Sequence, residues 1–271
     1  MQERAFSFLR SNRREEKPRS HGVTEIRGPY YSVMGPRYLR DVLETAGDWV
    51  DILKFAGGSF TLLPEKALGE LLDIAHEHGV KVSTGGFLEY VLTQGPDAVD
   101  RYLAECRRVG FDIVEISTGF ITMPQDDVLR LVQRVAAHGL LPKPEVGVQF
   151  GAGGATAEAE LEQEGLADPS RAITLARRCL EAGAYMIMIE SEGITESVTA
   201  PRHDIAARFA EELGIERIMF EAADPEVFPW YVKNYGPEVN LFVDHSQIIQ
   251  LECLRQGIWG TKSLWGRVMT Y

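Results

Sequence analysis

The sequence predicts one (β/α)8 barrel, a closed parallel sheet inside a ring of helices. Between residues 22 and 271, eight short apolar runs alternate with eight segments of helical period. Runs such as Met186-Ile187-Met188-Ile189 are apolar without alternation, as strands covered on both faces must be. Each run is separated from the next by the helical crossover that parallel pairing requires. No Gly-x-Gly-x-x-Gly follows the first run, which argues against an open dinucleotide-binding sheet.

Taken in order, Val23–Ile26 is the first strand and Pro36–Ala46, with Leu39, Val42 and Leu43 on one face, its helix. Trp49–Phe55 is the second strand, closed by Ala56-Gly57-Gly58-Ser59, and Pro64 opens a helix to His78. Lys81–Thr84 runs into Gly85-Gly86, and its helix spans Pro96 to Val109-Gly110. Strand four is Ile113–Ile116, with a helix from Pro124 to His138-Gly139, and strand five is Leu141–Val148. The Gly- and Ala-rich passage from Gly151 to Gly165 follows on a C-terminal side, where a lid would sit. The last three pairs are Tyr185–Glu190 with Arg202–Leu213, Arg217–Glu221 with Pro225–Tyr235, and Glu238–Val243 with Ser246–Gln256; Pro169–Ala182 is the helix that leads into them.

The 271 residues are 45% hydrophobic, enough for one large core, and no polar linker divides them. Residues 1–21, with Arg13-Arg14-Glu15-Glu16-Lys17-Pro18-Arg19, read as a solvated arm ahead of a barrel domain at 22–271. A net charge of −12 and a pI near 5.0 exclude nucleic acid and anionic membrane as general partners. No window approaches the ~20 apolar residues of a bilayer span, and no signal-like apolar region opens the chain, so a cytoplasmic location is expected. Cys106, Cys179 and Cys253 lack CxxC spacing and read as reduced, packed thiols. The many helix faces of a barrel are compatible with a homo-oligomer.

In such barrels chemistry belongs to the C-terminal mouth, so strand ends become candidates. They supply Glu25, Arg27, Lys54, Ser83, Thr84, Glu115, Ser117, Lys143, Glu145, Glu190, Glu192, Glu221, Asn240, Asp244 and His245. Carboxylates at Glu115, Glu145, Glu190 and Glu221, with neither thiolate nor histidine pair, favour a hard ion such as Mg2+. The competing reading pairs each glutamate with Lys54, Lys143 or Arg27 in an ion network inside the barrel. Lys54 and Lys143 suit an anionic substrate as charge clamps or proton carriers. Gly57-Gly58-Ser59 and Gly85-Gly86 let backbone amides approach an anion. Asp244-His245-Ser246-Gln247 opens the last helix where barrels hold phosphate, although Asp244 or Ser246 serves equally as an ordinary cap and His245 as a structural residue.

With these residues in view the chain resembles the phosphosulfolactate synthase family. The likeness lies in Asp48-Trp49-Val50-Asp51-Ile52-Leu53-Lys54-Phe55, Gly85-Gly86-Phe87-Leu88-Glu89, Gly110-Phe111-Asp112-Ile113-Val114-Glu115-Ile116-Ser117, Glu145-Val146-Gly147, Ile189-Glu190 and Phe220-Glu221-Ala222. It resembles still more closely the plant heat-stress-associated branch, through Lys54-Phe55-Ala56-Gly57-Gly58-Ser59, Cys179-Leu180-Glu181-Ala182-Gly183-Ala184 and Gly236-Pro237-Glu238-Val239-Asn240-Leu241-Phe242-Val243-Asp244-His245-Ser246-Gln247-Ile248.

The resemblance implies a (β/α)8 lyase that adds sulfite, or a similar small nucleophile, to phosphoenolpyruvate with Mg2+. On that basis Lys143 is expected as general acid, Lys54 as anion clamp, and Glu145 as a further catalytic group. Glu145, Glu190 and Glu221 would hold or orient the metal, with Glu115 as another ligand. Arg27, Gly57, Gly58, Ser59, Gly85, Gly86, Asn240 and His245 would bind a small phosphorylated anion. Two positions depart from the synthase pattern: Val148-Gln149 follows Glu145-Val146-Gly147 where the synthases have Lys, and Ser191-Glu192-Gly193 stands where they carry Arg. A diverged member, protective in stress through another anionic ligand or a protein partner, is therefore the alternative. A generic phosphosugar aldolase or isomerase is a third reading, on fold analogy alone.

Overall fold

A computed structural model describes residues 5–148, 168–258 and 268–270. The strands β1 (Thr24–Arg27), β2 (Ile52–Lys54), β3 (Lys81–Ser83), β4 (Ile113–Ile116), β5 (Leu141–Val146), β6 (Ile187–Ile189), β7 (Ile218–Glu221) and β8 (Leu241–Asp244) close in chain order into one parallel barrel. Pairing of β1 with both β2 and β8 completes the ring. Around it lie α1 (Pro36–Ala46), α2 (Glu65–Glu77), α3 (Leu88–Leu92), α4 (Pro96–Val109), α5 (Gln125–Ala137), α6 (Ser170–Glu181), α7 (His203–Leu213), α8 (Phe228–Tyr235) and α9 (Ile248–Arg255). The Gly151–Gly165 passage read as a lid, and Gln149, fall outside the described residues.

The period of two along each strand explains why the runs are apolar throughout. One set of positions, including Ile26, Leu53, Val82, Val114, Ile187, Ile189, Phe220 and Val243, packs with the helices in the large outer core. The alternate set, Val23, Ile52, Ile113, Met186, Met188, Met219 and Phe242, forms a smaller cluster. Two residues further along six strands the same alternation delivers charge: Glu25 after Val23, Lys54 after Ile52, Glu115 after Ile113, Lys143 after Leu141, Glu190 after Met188 and Glu221 after Met219. An apolar plug thus underlies a polar upper interior.

Several boundaries differ from the sequence reading. The second strand begins at Ile52 rather than Trp49 because Gly47–Trp49 forms a 3-10 turn. The eighth begins at Leu241 rather than Glu238, and the helix before it at Phe228 rather than Pro225. A 3-10 segment at Ala56–Leu62 and the short α3 were not anticipated. Within the 3-10 segment Gly57 and Gly58 have φ of 60° and 69°, and a Cβ on Gly58 would collide with the Phe87 ring, so glycine is required there.

The N-terminal segment is not solvated over its length, contrary to expectation. Lys17 Nζ donates to the carbonyls of Gly47, Val50 and His78 at 2.8, 2.7 and 2.8 Å. Arg14 pairs with Glu252 at 3.1 Å, and Arg19 with Asp51 at 2.9 Å, all with little exposed side chain. Helix ends and strand starts leave carbonyls unpartnered, and these basic side chains satisfy them.

Candidate active site

Five interior side chains alternate in charge. Lys143 Nζ lies 2.6 Å from Glu25 Oε1 and 3.0 Å from Glu115 Oε2. Glu115 Oε1 is 2.8 Å from Lys54 Nζ, which in turn is 3.7 Å from Glu145 Oε2. Burial opposes the charge on Glu115, but Lys54 and Lys143 outweigh it and pull its carboxyl down to about 2. Burial likewise opposes the charge on Lys54, yet Glu115 and Glu145 hold its ammonium well above the ordinary lysine range.

Above this column the compensation fails. One oxygen each of Glu145, Glu190 and Glu221 lie within 4.8 Å of one another. Burial, then the charge of Glu115, pushes Glu145 up to about 8. Burial, then Glu221 and Glu145, pushes Glu190 well above the carboxylate range, and burial also raises Glu221. The last is paired with Arg27 at 3.2 Å, and Arg27 lies over the rings of Tyr31 and Phe242. Three converging carboxylates whose charges are mutually costly, all oxygen donors, fit a hard divalent cation such as Mg2+.

These groups open into a cavity of about 770 Å3. Its described lining carries six carboxylates, Glu89, Glu115, Glu145, Glu190, Glu196 and Glu221, against two cations, Arg27 and Lys54. Its outer wall is aromatic, with Tyr30, Tyr31, Phe87, Tyr90 and Phe120. A second cavity of about 440 Å3 reaches Glu145 and Glu190 from the side of α5 and α6, past Ser117, Ile121 and Val148.

The candidates from the sequence divide accordingly. Arg27, Lys54, Gly57, Gly86, Glu115, Glu145, Glu190 and Glu221 meet at the larger cavity. Glu115 is outside the three-carboxylate cluster because both its oxygens face lysines. Lys143 does not reach the mouth. It is fully buried, and the expected general acid is instead the counter-ion of Glu25 and Glu115.

Asn240 is at the opposite end from the mouth, since it precedes β8. Its Oδ1 accepts from Val23 N at 2.8 Å and its Nδ2 donates to the carbonyls of Ile215 and Ile218 at 3.0 and 2.9 Å. His245 turns away to Tyr38, with Nε2 2.9 Å from the phenol oxygen, while Asp244 caps its turn through Ser246 N. Gly58, Ser59 and Gly85 lie behind the lining; a Cβ on Gly85 would stand 2.9 Å from the Phe55 carbonyl. Glu89 and the aromatic wall were missed. The signal available for Glu89 was a lone carboxylate inside the apolar run Leu88-Glu89-Tyr90-Val91-Leu92.

Comparison with known proteins agrees with this architecture. The family profile described as (2R)-phospho-3-sulfolactate synthase (ComA) matches residues 12–261. Protein HEAT-STRESS-ASSOCIATED 32 of Arabidopsis thaliana is 42% identical over 259 residues, covering 92% of this chain and 91% of that protein. The phosphosulfolactate synthase of Methanothermobacter thermautotrophicus is 29% identical over 263 residues, covering 94% and 96%. That of Bacillus subtilis is 26% identical over 254 residues, covering 90% and 93%. Among solved structures, 2,3-dimethylmalate lyase superposes with a TM-score of 0.51 at 12% identity, covering 82% of this chain and 75% of that one, a likeness of fold alone. The chain belongs to the (2R)-phospho-3-sulfolactate synthase (ComA) family.

Proposed function

We propose that this protein is a lyase of the phosphosulfolactate synthase type, which adds sulfite or a similar small nucleophile to phosphoenolpyruvate with the help of Mg2+. The observation that carries the reading is the convergence of Glu145, Glu190 and Glu221 beside Lys54 and Arg27 at the barrel mouth. Glu145, Glu190 and Glu221 would hold the ion, which when bound supplies positive charge where the carboxylate of the acceptor gains electron density. Lys54, kept charged by its glutamates, clamps the acceptor's anionic end. As the nucleophile bonds to the methylene carbon, the π pair moves toward the adjacent carbon, and Lys54 would deliver the proton that carbon takes up. Arg27 offers the second clamp once a ligand competes with Glu221 for it. Incubation of the purified chain with sulfite, phosphoenolpyruvate and Mg2+, followed by 31P NMR, should show a phosphorylated sulfonate; no product and no binding of either anion would defeat the reading.

A second reading has its own observation. Lys143 is sealed, Val148 and Ser191-Glu192 offer no cation, and among the described residues carboxylates outnumber cations at the mouth. These features favour a diverged member that takes another anionic ligand or a protein partner. Under that reading the assay yields no product in the wild type, while Val148→Lys gains binding of sulfite.

A further inference from the structure

The larger cavity is bigger than the proposed reaction needs. Its volume of about 770 Å3 suits a drug-sized ligand, whereas phosphoenolpyruvate and sulfite are both small anions. The six carboxylates of its described lining are also unequally partnered. Glu115 faces Lys54 and Lys143, Glu221 is paired with Arg27, and Glu145 and Glu190 belong to the converging three. Glu89 and Glu196 are left over. Glu89, only 6% exposed, accepts from the backbone N–H groups of Phe120 and Ile121 and from Ser117 Oγ, and Glu196 accepts from Ser191 Oγ at 2.8 Å. Among the described residues no cation pairs with either, and a buried anion held by neutral donors alone is costly where a glutamine would fill the same space.

The rings around Glu89 face the same cavity. Phe87 and Tyr90 flank it in sequence, with ring centroids 5.4 Å apart, and Phe120 donates its amide to it. Tyr90 and Phe120 are 59% and 57% exposed, the kind of open aromatic surface that marks a binding site. Elsewhere this mouth already sets cations on ring faces: Arg27 is 5.0 Å from the Tyr31 centroid, and Lys54 Nζ is 4.5 Å from that of Phe242. Among the described residues none lies over Phe87, Tyr90 or Phe120. We propose that this outer part of the cavity binds an organic cation, an ammonium or guanidinium group set against those three rings, with Glu89 and Glu196 supplying the negative charge. A net charge of −12 attracts such a ligand and repels sulfite. The site is separate from the metal-holding carboxylates and does not depend on the lyase reading.

The test titrates the full chain, in excess Mg2+, with choline and with its neutral isostere 3,3-dimethyl-1-butanol, read by ligand-observed NMR alongside thermal unfolding and sedimentation. Choline should bind about tenfold or more tightly than the alcohol. Tyr90→Leu, which replaces an exposed ring by an apolar group, should weaken choline by about two- to fivefold. Glu89→Gln combined with Glu196→Gln, which keeps shape and removes charge, should weaken it by about fivefold. Both variants should melt close to wild type and bind the alcohol as the wild type does. Equal affinity for the two probes, no binding of choline, or wild-type choline binding in either folded variant overturns the proposal. If a second copy of the chain covers the rings instead, Tyr90→Leu alters the sedimentation coefficient and not choline binding, with the same consequence. The lyase reading is judged apart, by product from sulfite and phosphoenolpyruvate: its failure beside intact choline binding leaves this site in place, and product without choline binding removes this site alone.

Discussion

Glu115 stands between two lysines, its Oε1 2.8 Å from Lys54 Nζ and its Oε2 3.0 Å from Lys143 Nζ. The lower lysine neutralises the interior and the upper one meets the cavity, so one carboxylate couples the stability of the barrel to the charge state of its mouth.

Removing Lys143 should therefore harm folding before chemistry. Lys143→Met leaves Glu25 and Glu115 buried with a counter-ion lost, and breaking such a pair from one side costs about 3–5 kcal/mol. Urea unfolding checks this, and Glu25→Gln combined with Lys143→Met should recover part of the loss.

Lys54 carries the opposite expectation. Lys54→Met should weaken anion binding at the mouth by about 10- to 100-fold, the worth of a hydrogen bond to a charged group. Calorimetric titration with phosphoenolpyruvate checks it. A variant that binds the anion as the wild type does would remove Lys54 from the role given to it.

Stability should depend on pH in two windows of opposite sign. Burial and the charge of Glu115 raise Glu145 to about 8 in the folded state, from the ordinary carboxyl value of 4.5. Between those values the folded chain holds a proton the unfolded chain has lost, so stability falls as pH rises through the window. Glu115 is lowered to about 2, so the stability it lends is present above 4.5 and is lost as pH falls toward 2. Melting curves from pH 3 to 9 in EDTA should show both slopes, and Mg2+ should flatten the upper one, because a cation replaces the proton.

The N-terminal segment should matter for stability alone. Lys17 donates to three carbonyls, and Lys17→Met should cost about 2–3 kcal/mol by leaving them short of donors. Ligand binding at the mouth should be unchanged in the same variant.

The barrel was legible because strands covered on both faces are written as largely apolar runs, most plainly in Ile187–Ile189 and in Ile218–Glu221 up to its last residue. Glu190 and Glu221 were legible for the same reason, since a charge that ends such a run must emerge at the mouth, whereas Glu145 follows from the period of two beyond Lys143 in β5. Depth was not legible. Lys54 ends β2, whereas Lys143 is the third of six residues in β5, and that difference buries one lysine and exposes the other to the cavity. Placing the start of the last strand three residues early moved Asn240 to the wrong end of the barrel. Glu89 escaped notice because it belongs to a short helix and not to a strand end. The basic residues of the N-terminal segment read as solvated because composition does not reveal which carbonyls a lysine will meet.

The most direct test of the converging carboxylates is anomalous diffraction from a crystal soaked in Mn2+. The predicted result is a single strong peak at coordinating distance from Glu145, Glu190 and Glu221, weakened or lost in Glu190→Gln. A peak elsewhere, or none there at saturating Mn2+, would contradict it.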